Sequence, residues 1–164
     1  MTLHFAYGSN MSRALMGARC PGATALGTAA LERWRFVVGP GGHGSIEPVP
    51  GAVVHGVLWR LGARDVAAIN AYEGIDCGLY ARRILPVRHN ASLLPALVYI
   101  LRRHGRGQPR PAYIRLVVEA AREWRLPELH IRSLQRWSPS GWRGGRIKDA
   151  GEIGWAPPTS SVMS

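Results

Sequence analysis

Lysine is almost absent from this chain of 164 residues: Lys148 stands alone beside 20 arginines. A basic surface selected for phosphates usually mixes the two, because lysine serves well as a point charge. The formal charge of +11 therefore raises a nucleic-acid or anionic-membrane partner without arguing strongly for either. Long apolar runs are also missing, and none approaches the ~18 residues a spanning helix requires. No basic stretch followed by an apolar core opens the chain, so no secretory signal is expected. Cysteine is scarce, with only Cys20 and Cys77 and no CxxC. A bridge between them stays open, but two thiols in a reducing cytoplasm is the favoured reading. The six histidines form no i, i+4 pair and have no cysteine beside them, so no metal site is expected. A Gly-x-Ser-x-Gly elbow is lacking, and the glycine stretch at 39–44 has no Lys-Ser/Thr ending, which argues against a hydrolase triad and a phosphate loop.

What is present describes one globular domain. With 46% hydrophobic and 19% charged residues the chain can bury a core without disulfides or metal. Alternation over 3–7 predicts a strand feeding the turn Gly8-Ser9-Asn10. Ser12 is a candidate cap for a short helix running through Met16, which Arg19-Cys20-Pro21-Gly22 stops. Two strand segments follow, over 26–31 and 34–38, then a glycine-rich loop at 39–44. Val53, His55, Val57, Trp59 and Leu61 alternate as one face of a strand. Residues 64–72 fit a short amphipathic helix ended by Gly74. Further strands are expected over 79–88 and 96–101, joined through 89–95. Pro111 opens a helix with Ile114, Val117, Val118 and Ala121 on its inner face. A last helix over 127–137 would turn Leu129, Leu134 and Trp137 inward. The pattern implies an α+β fold on a mostly antiparallel sheet, a domain over 1–137 and an irregular tail over 138–164.

Three features could carry chemistry. Tyr7-Gly8-Ser9-Asn10 is ordinary turn chemistry, yet such a turn also makes a nest of backbone donors able to hold a carboxylate. Glu73, at the end of the 64–72 helix, sits where the macrodipole disfavours a negative charge. It therefore has reason to lie elsewhere or to carry a raised pKa, as a general base would; the bland alternative is a solvated glutamate. Tyr80, Tyr99 and Tyr113 fall on two strands and near a helix start, where tyrosines usually pack with a wet hydroxyl. Arg102, Arg103, Arg106 and Arg110 form the densest basic run, read first as a solvated loop.

Taken in order, these elements resemble the γ-glutamylcyclotransferase family. Phe5-Ala6-Tyr7-Gly8-Ser9-Asn10-Met11 resembles its N-terminal substrate-binding signature. Gly56-Val57-Leu58-Trp59, Ala71-Tyr72-Glu73-Gly74 and Gly78-Leu79-Tyr80 are similar to its middle section. Ala96-Leu97-Val98-Tyr99-Ile100 and Pro111-Ala112-Tyr113 match its closing strand and helix entry. The resemblance implies a small mixed sheet closing into a barrel-like core with a few flanking helices. It implies a cofactor-free transferase or lyase-type acyltransferase activity in the cytoplasm. In that reaction the α-amine of a γ-glutamyl group attacks its own γ-carbonyl, giving 5-oxoproline and a free amino acid or amine. Glu73 would be the general base. His4, Phe5, Ala6, Tyr7, Gly8, Ser9, Asn10, Tyr80 and Tyr113 would line the substrate site. The expected partner is a small γ-glutamyl molecule, with no metal and no membrane, in a monomer or homodimer. The leaving group would be read by loops such as 39–44 and 102–110, where an arginine could meet its carboxylate. Two other classes are weighed against this: a non-catalytic binding or regulatory module on the same fold and, last, a basic nucleic-acid-binding protein.

Overall fold

Five strands and four helices make up residues 1–139, the part of the chain that the computed structural model describes. The expected irregular tail falls, from residue 140 onward, outside the described residues. The strands are β1 (Thr2–Ala6), β2 (Thr24–Val38), β3 (Gly44–Leu61), β4 (Tyr80–His89) and β5 (Ser92–Leu101). They close into a barrel in the order β1-β3-β2-β4-β5. Every neighbouring pair is antiparallel except β1 and β5, which run parallel and share one paired position, His4 with Leu97. Closure removes the exposed edges that an open sheet of this size would present.

The two segments expected before residue 39 are one strand. β2 runs unbroken for 15 residues but carries an irregularity between Glu32 and Trp34, where Arg33 takes φ 70°. That bulge bends the ribbon at the place where the sequence pattern breaks. β3 is longer than the alternation at 53–61 suggests, because its first half pairs with the distal half of β2. Its two faces are also less distinct than expected. Val57, Trp59 and Leu61 are buried, but so are Val54 and Leu58, whereas Val53 is exposed. The strand is covered on both sides, by the barrel interior and by helices, so both alternating sets become apolar. The link from β4 to β5 is a tight turn in which Asn90 takes φ 54°, a left-handed geometry that asparagine tolerates.

Four helices, α1 (Arg13–Arg19), α2 (Ala63–Tyr72), α3 (Pro111–Glu123) and α4 (Glu128–Gln135), flank the barrel. Ser12 caps α1 by accepting the Leu15 N–H at 3.3 Å. Ile114, Val117, Val118 and Ala121 turn the predicted face of α3 into the core. Ile114, Val117 and Val118 each contribute about 1.5–3 kcal/mol through burial. In α4 the inward face is set by His130, Ile131 and Leu134. Leu129, expected to point inward, is 80% exposed. A single apolar residue does not fix the phase of a two-turn helix, and the neighbouring Ile131–Leu134 spacing does. Cys20 is buried and Cys77 exposed, and both are free thiols. Among the described residues no helix is long and apolar enough to cross a membrane.

Candidate active site

The end of β1 is where the chain stops pairing and the barrel opens. After Ala6 the backbone leaves the sheet and forms a single 3-10 turn, Ser9–Met11. That turn is closed by Met11 N–H to Gly8 O (3.0 Å) and Ser12 N–H to Ser9 O (3.1 Å). The first N–H groups of such a turn find no acceptor within it, as in any helix. The pocket beside it is an open-mouthed cleft of about 500 Å³, counted out into solvent. Every residue that the resemblance assigns to the site lines it: His4, Phe5, Ala6, Tyr7, Gly8, Ser9, Asn10, Glu73, Tyr80 and Tyr113.

Glu73 is the residue that ends α2, and it turns toward the pocket rather than extending the helix. The Asn10 amide donates to its Oε1 at 2.8 Å. The Asn10 carbonyl in turn accepts from Arg19, whose guanidinium lies 3.1 Å from the centroid of the Tyr72 ring. Burial raises the Glu73 carboxyl to about 7, against the lowering pull of Arg19 and of the Asn10 hydrogen bond. An acid poised there can exchange protons near neutrality, which its sequence position alone only hinted at.

The tyrosines form a ring of fixed hydroxyls. Tyr7 Oη donates to the Tyr99 carbonyl at 2.5 Å, and Tyr80 Oη to the Gly44 carbonyl at 2.6 Å. Tyr99 Oη donates to Asn70 Oδ1 at 2.7 Å, while Ser9 Oγ and Tyr72 Oη are 3.2 Å apart. Burial raises all five phenols, Tyr7, Tyr72, Tyr80, Tyr99 and Tyr113, so they stay neutral donors across the physiological range. The Tyr113 hydroxyl is wedged between two glycines. A Cβ on Gly8 would sit 3.0 Å from it, and one on Gly44 would overlap it outright. Gly8 is thus required by close approach and not by a positive φ, since it adopts φ −120°. His4 Nδ1 donates to the Leu97 carbonyl at 3.0 Å, leaving Nε2 as a buried lone pair. Burial lowers this imidazole to about 4, so it is neutral.

The two loops expected to read the leaving group separate here. Gly42, His43 and Gly44 border the pocket. Arg103, His104 and Arg106 instead line an outer groove on the other side of the same strap, with Arg106 held by Glu47 at 2.7 and 3.0 Å. Arg19, His43 and Tyr72 were not singled out as site residues, and Tyr99 was read first as a packing tyrosine. Tyr72 and Tyr99 lie inside the motifs that carry the resemblance, and His43 lies in the 39–44 loop. Arg19 carries no local signal, because its role comes from α1 docking on α2. Among the described residues, no three or more His, Cys, Asp or Glu side chains gather where an ion could be held.

A family model described as the AIG2-like family matches residues 53–134, half of the chain, from β3 through α4. The chain belongs to the AIG2-like, γ-glutamylcyclotransferase family. The chain is 26% identical over 158 residues to a mouse protein named gamma-glutamylcyclotransferase, covering 90% of this chain and 84% of that one. A bovine protein of the same name is 26% identical over 157 residues, covering 87% and 81%. A solved structure titled "Gamma-glutamyl cyclotransferase" superposes with a TM-score of 0.78 at 23% identity, covering 90% of this chain and 94% of that one. The closed mixed barrel with its flanking helices is the fold of that structure.

Proposed function

We propose that the protein is an enzyme, a γ-glutamylcyclotransferase that converts small γ-glutamyl compounds to 5-oxoproline and a free amino acid or amine. The observation that carries this reading is Glu73, a carboxyl raised to about 7 in a pocket walled by neutral tyrosines. The α-ammonium of a γ-glutamyl group is no nucleophile until it loses a proton, and Glu73 would accept it. The freed amine then attacks the γ-carbonyl carbon, closing a five-membered ring. As the bond from the γ-carbon to the leaving nitrogen breaks, Glu73 returns its proton to that nitrogen, and the ring nitrogen gives up its second proton to the released amine, which departs as its ammonium form. No cofactor enters, and atoms and charge balance.

The remaining groups would hold the chain curled. The N–H groups of Gly8, Ser9 and Asn10 would receive the α-carboxylate. The apolar edges of Phe5 and Ala6, with the Tyr7, Tyr80 and Tyr113 rings, would shape the wall around the glutamyl methylenes. His4 Nε2, a lone pair without a protein partner, would face a donor rather than the carboxylate. Because the attack is intramolecular, this curl would account for much of the acceleration. The two free thiols suit a reducing compartment, and we place the reaction in the cytoplasm.

The test is a mass-spectrometric screen of γ-glutamyl dipeptides and amines for 5-oxoproline. The native chain is expected to release it. Glu73→Gln should lower turnover by at least about 100-fold while leaving substrate binding and the fold in place. Near-native turnover in that variant would sink the mechanism.

A further inference from the structure

Glu73 does not hold its position alone. Its carboxylate accepts from the Asn10 amide, which has two ends of nearly equal size and opposite character. If that amide turned over, its carbonyl would face the Glu73 carboxylate, acceptor against acceptor. Nothing in the turn Ser9–Met11 itself decides the orientation. Arg19 does, because it donates to the Asn10 carbonyl and can only donate.

Arg19 is in turn fixed from three directions. It occupies the last turn of α1, where a cation is favoured by the macrodipole. Its guanidinium lies flat on the Tyr72 ring, one residue before Glu73. The exit of α1 is tied to the entry of α2 by buried Asp65, which accepts from Gly22 N–H at 3.2 Å and from Gly62 N–H at 3.0 Å. Two helices that share no sequence motif are thereby locked so that a cation at the end of one polarises an amide beside the acid at the end of the other.

We propose that Arg19 is a positioning residue, which through Asn10 holds the Glu73 carboxylate in the one orientation that serves as proton acceptor. This rests on the reading of Glu73 as the base. Arg19 touches neither substrate nor reacting atoms in this arrangement; it acts through the amide. It also acts as the cation that offsets the burial of Glu73.

The surroundings make a clean test possible. The titratable groups facing Glu73 are Tyr7 and Tyr99 from the β1–β5 side, Tyr72 from α2, Tyr80 from β4 and Tyr113 from α3. All are displaced upward and stay neutral. His4 and His43, which share the pocket, are displaced downward and are neutral above pH 7. An acid limb near neutrality in the pH–rate profile therefore belongs to Glu73.

The experiment measures 5-oxoproline release from a γ-glutamyl dipeptide across pH 5.5 to 9 for the native chain, Arg19→Gln and Arg19→Lys. Removing the cation and freeing the amide should move the acid limb upward by about 1 pH unit. It should also lower kcat about tenfold with little change in KM. Arg19→Lys keeps the charge but loses the fork and the stack, so its limb should move upward by less. An acid limb at the native position in Arg19→Gln would overturn the proposal, since a purely structural residue would change amount of active enzyme and not that limb. If Arg19→Gln fails to fold, the Arg19→Lys limb decides in the same way. Infrared titration of the carboxylate, assigned by its loss in Glu73→Gln, gives the second readout and needs no turnover. If the native chain releases no 5-oxoproline, the functional reading fails. An unmoved Glu73 titration in the Arg19 variants overturns the positioning role, and an upward shift supports it.

Discussion

Replacing Gly44 with alanine tests the packing of the pocket at a single methyl group. The new Cβ would overlap the Tyr113 hydroxyl and approach its Cζ to 3.2 Å and Phe36 Cε2 to 3.3 Å. Tyr113 cannot simply retreat, because the Gly8 backbone stands on its far side at the close approach already described. The ring must swing out of the pocket or the strap at 39–44 must shift. Overpacking of this kind costs about 1–3 kcal/mol. For a protein of this size about 2 kcal/mol lowers the melting temperature by roughly 6 °C. The decisive assay is a double-mutant cycle by thermal unfolding with Tyr113→Phe. Without its hydroxyl the ring leaves room for the methyl, so Gly44→Ala should cost less than half as much in the Tyr113→Phe background. The pair should couple by about 1 kcal/mol or more. Equal costs in both backgrounds would show that the clash is relieved elsewhere and that the wedge between two glycines does not constrain Tyr113.

Stability at low pH follows from two buried histidines. His4 and His130 are both lowered to about 4, so each is favoured neutral in the fold and charges readily once unfolded. Their contribution is present above pH 6.5 and is lost as the pH falls through about 4, roughly 3 kcal/mol for each. Glu73 has the opposite sign. Its raised carboxyl favours the fold below pH 4.5, and that contribution is lost as the pH rises through about 7. Urea midpoints should therefore drop steeply from pH 6 to 4, and replacing His130 with an apolar residue should flatten the drop. An unchanged slope would refute the assignment. Asp65→Asn puts an amide donor against one of two backbone N–H groups, which should cost about 1–3 kcal/mol in urea unfolding. A neutral substitution there would mean that the α1–α2 tie is not held by this carboxylate.

The local elements of the fold were legible because each has a local cause. Ser12 caps, Pro111 starts a helix, and the period of α3 is that of its buried face. The pocket residues were legible as a set because a turn, a glutamate and two tyrosines recur in a recognisable order. What the sequence concealed depends on partners far along the chain. Arg33 bends β2 without ending it, and only pairing with β3 decides between a break and a bulge. Leu129 faces solvent because α4 docks through His130 and Ile131, a phase that one apolar residue could not reveal. Arg19 belongs to the site only because two helix ends meet. Glu73 was singled out for the macrodipole at the end of its helix, whereas what raises its carboxyl is the burial that the pocket supplies.

The parallel seam between β1 and β5 has a consequence for how such a site can change. Backbone pairing across it is reduced to one position, yet two carbonyls of β5, those of Leu97 and Tyr99, accept from the side chains of His4 in β1 and of Tyr7 just beyond it. His4 and Tyr7 act as the missing rungs, so the hoop of the barrel is finished by the same groups that floor the cavity. At this join, refitting the cavity to a different guest means re-sewing the wall, and chemistry and mechanical integrity must evolve together.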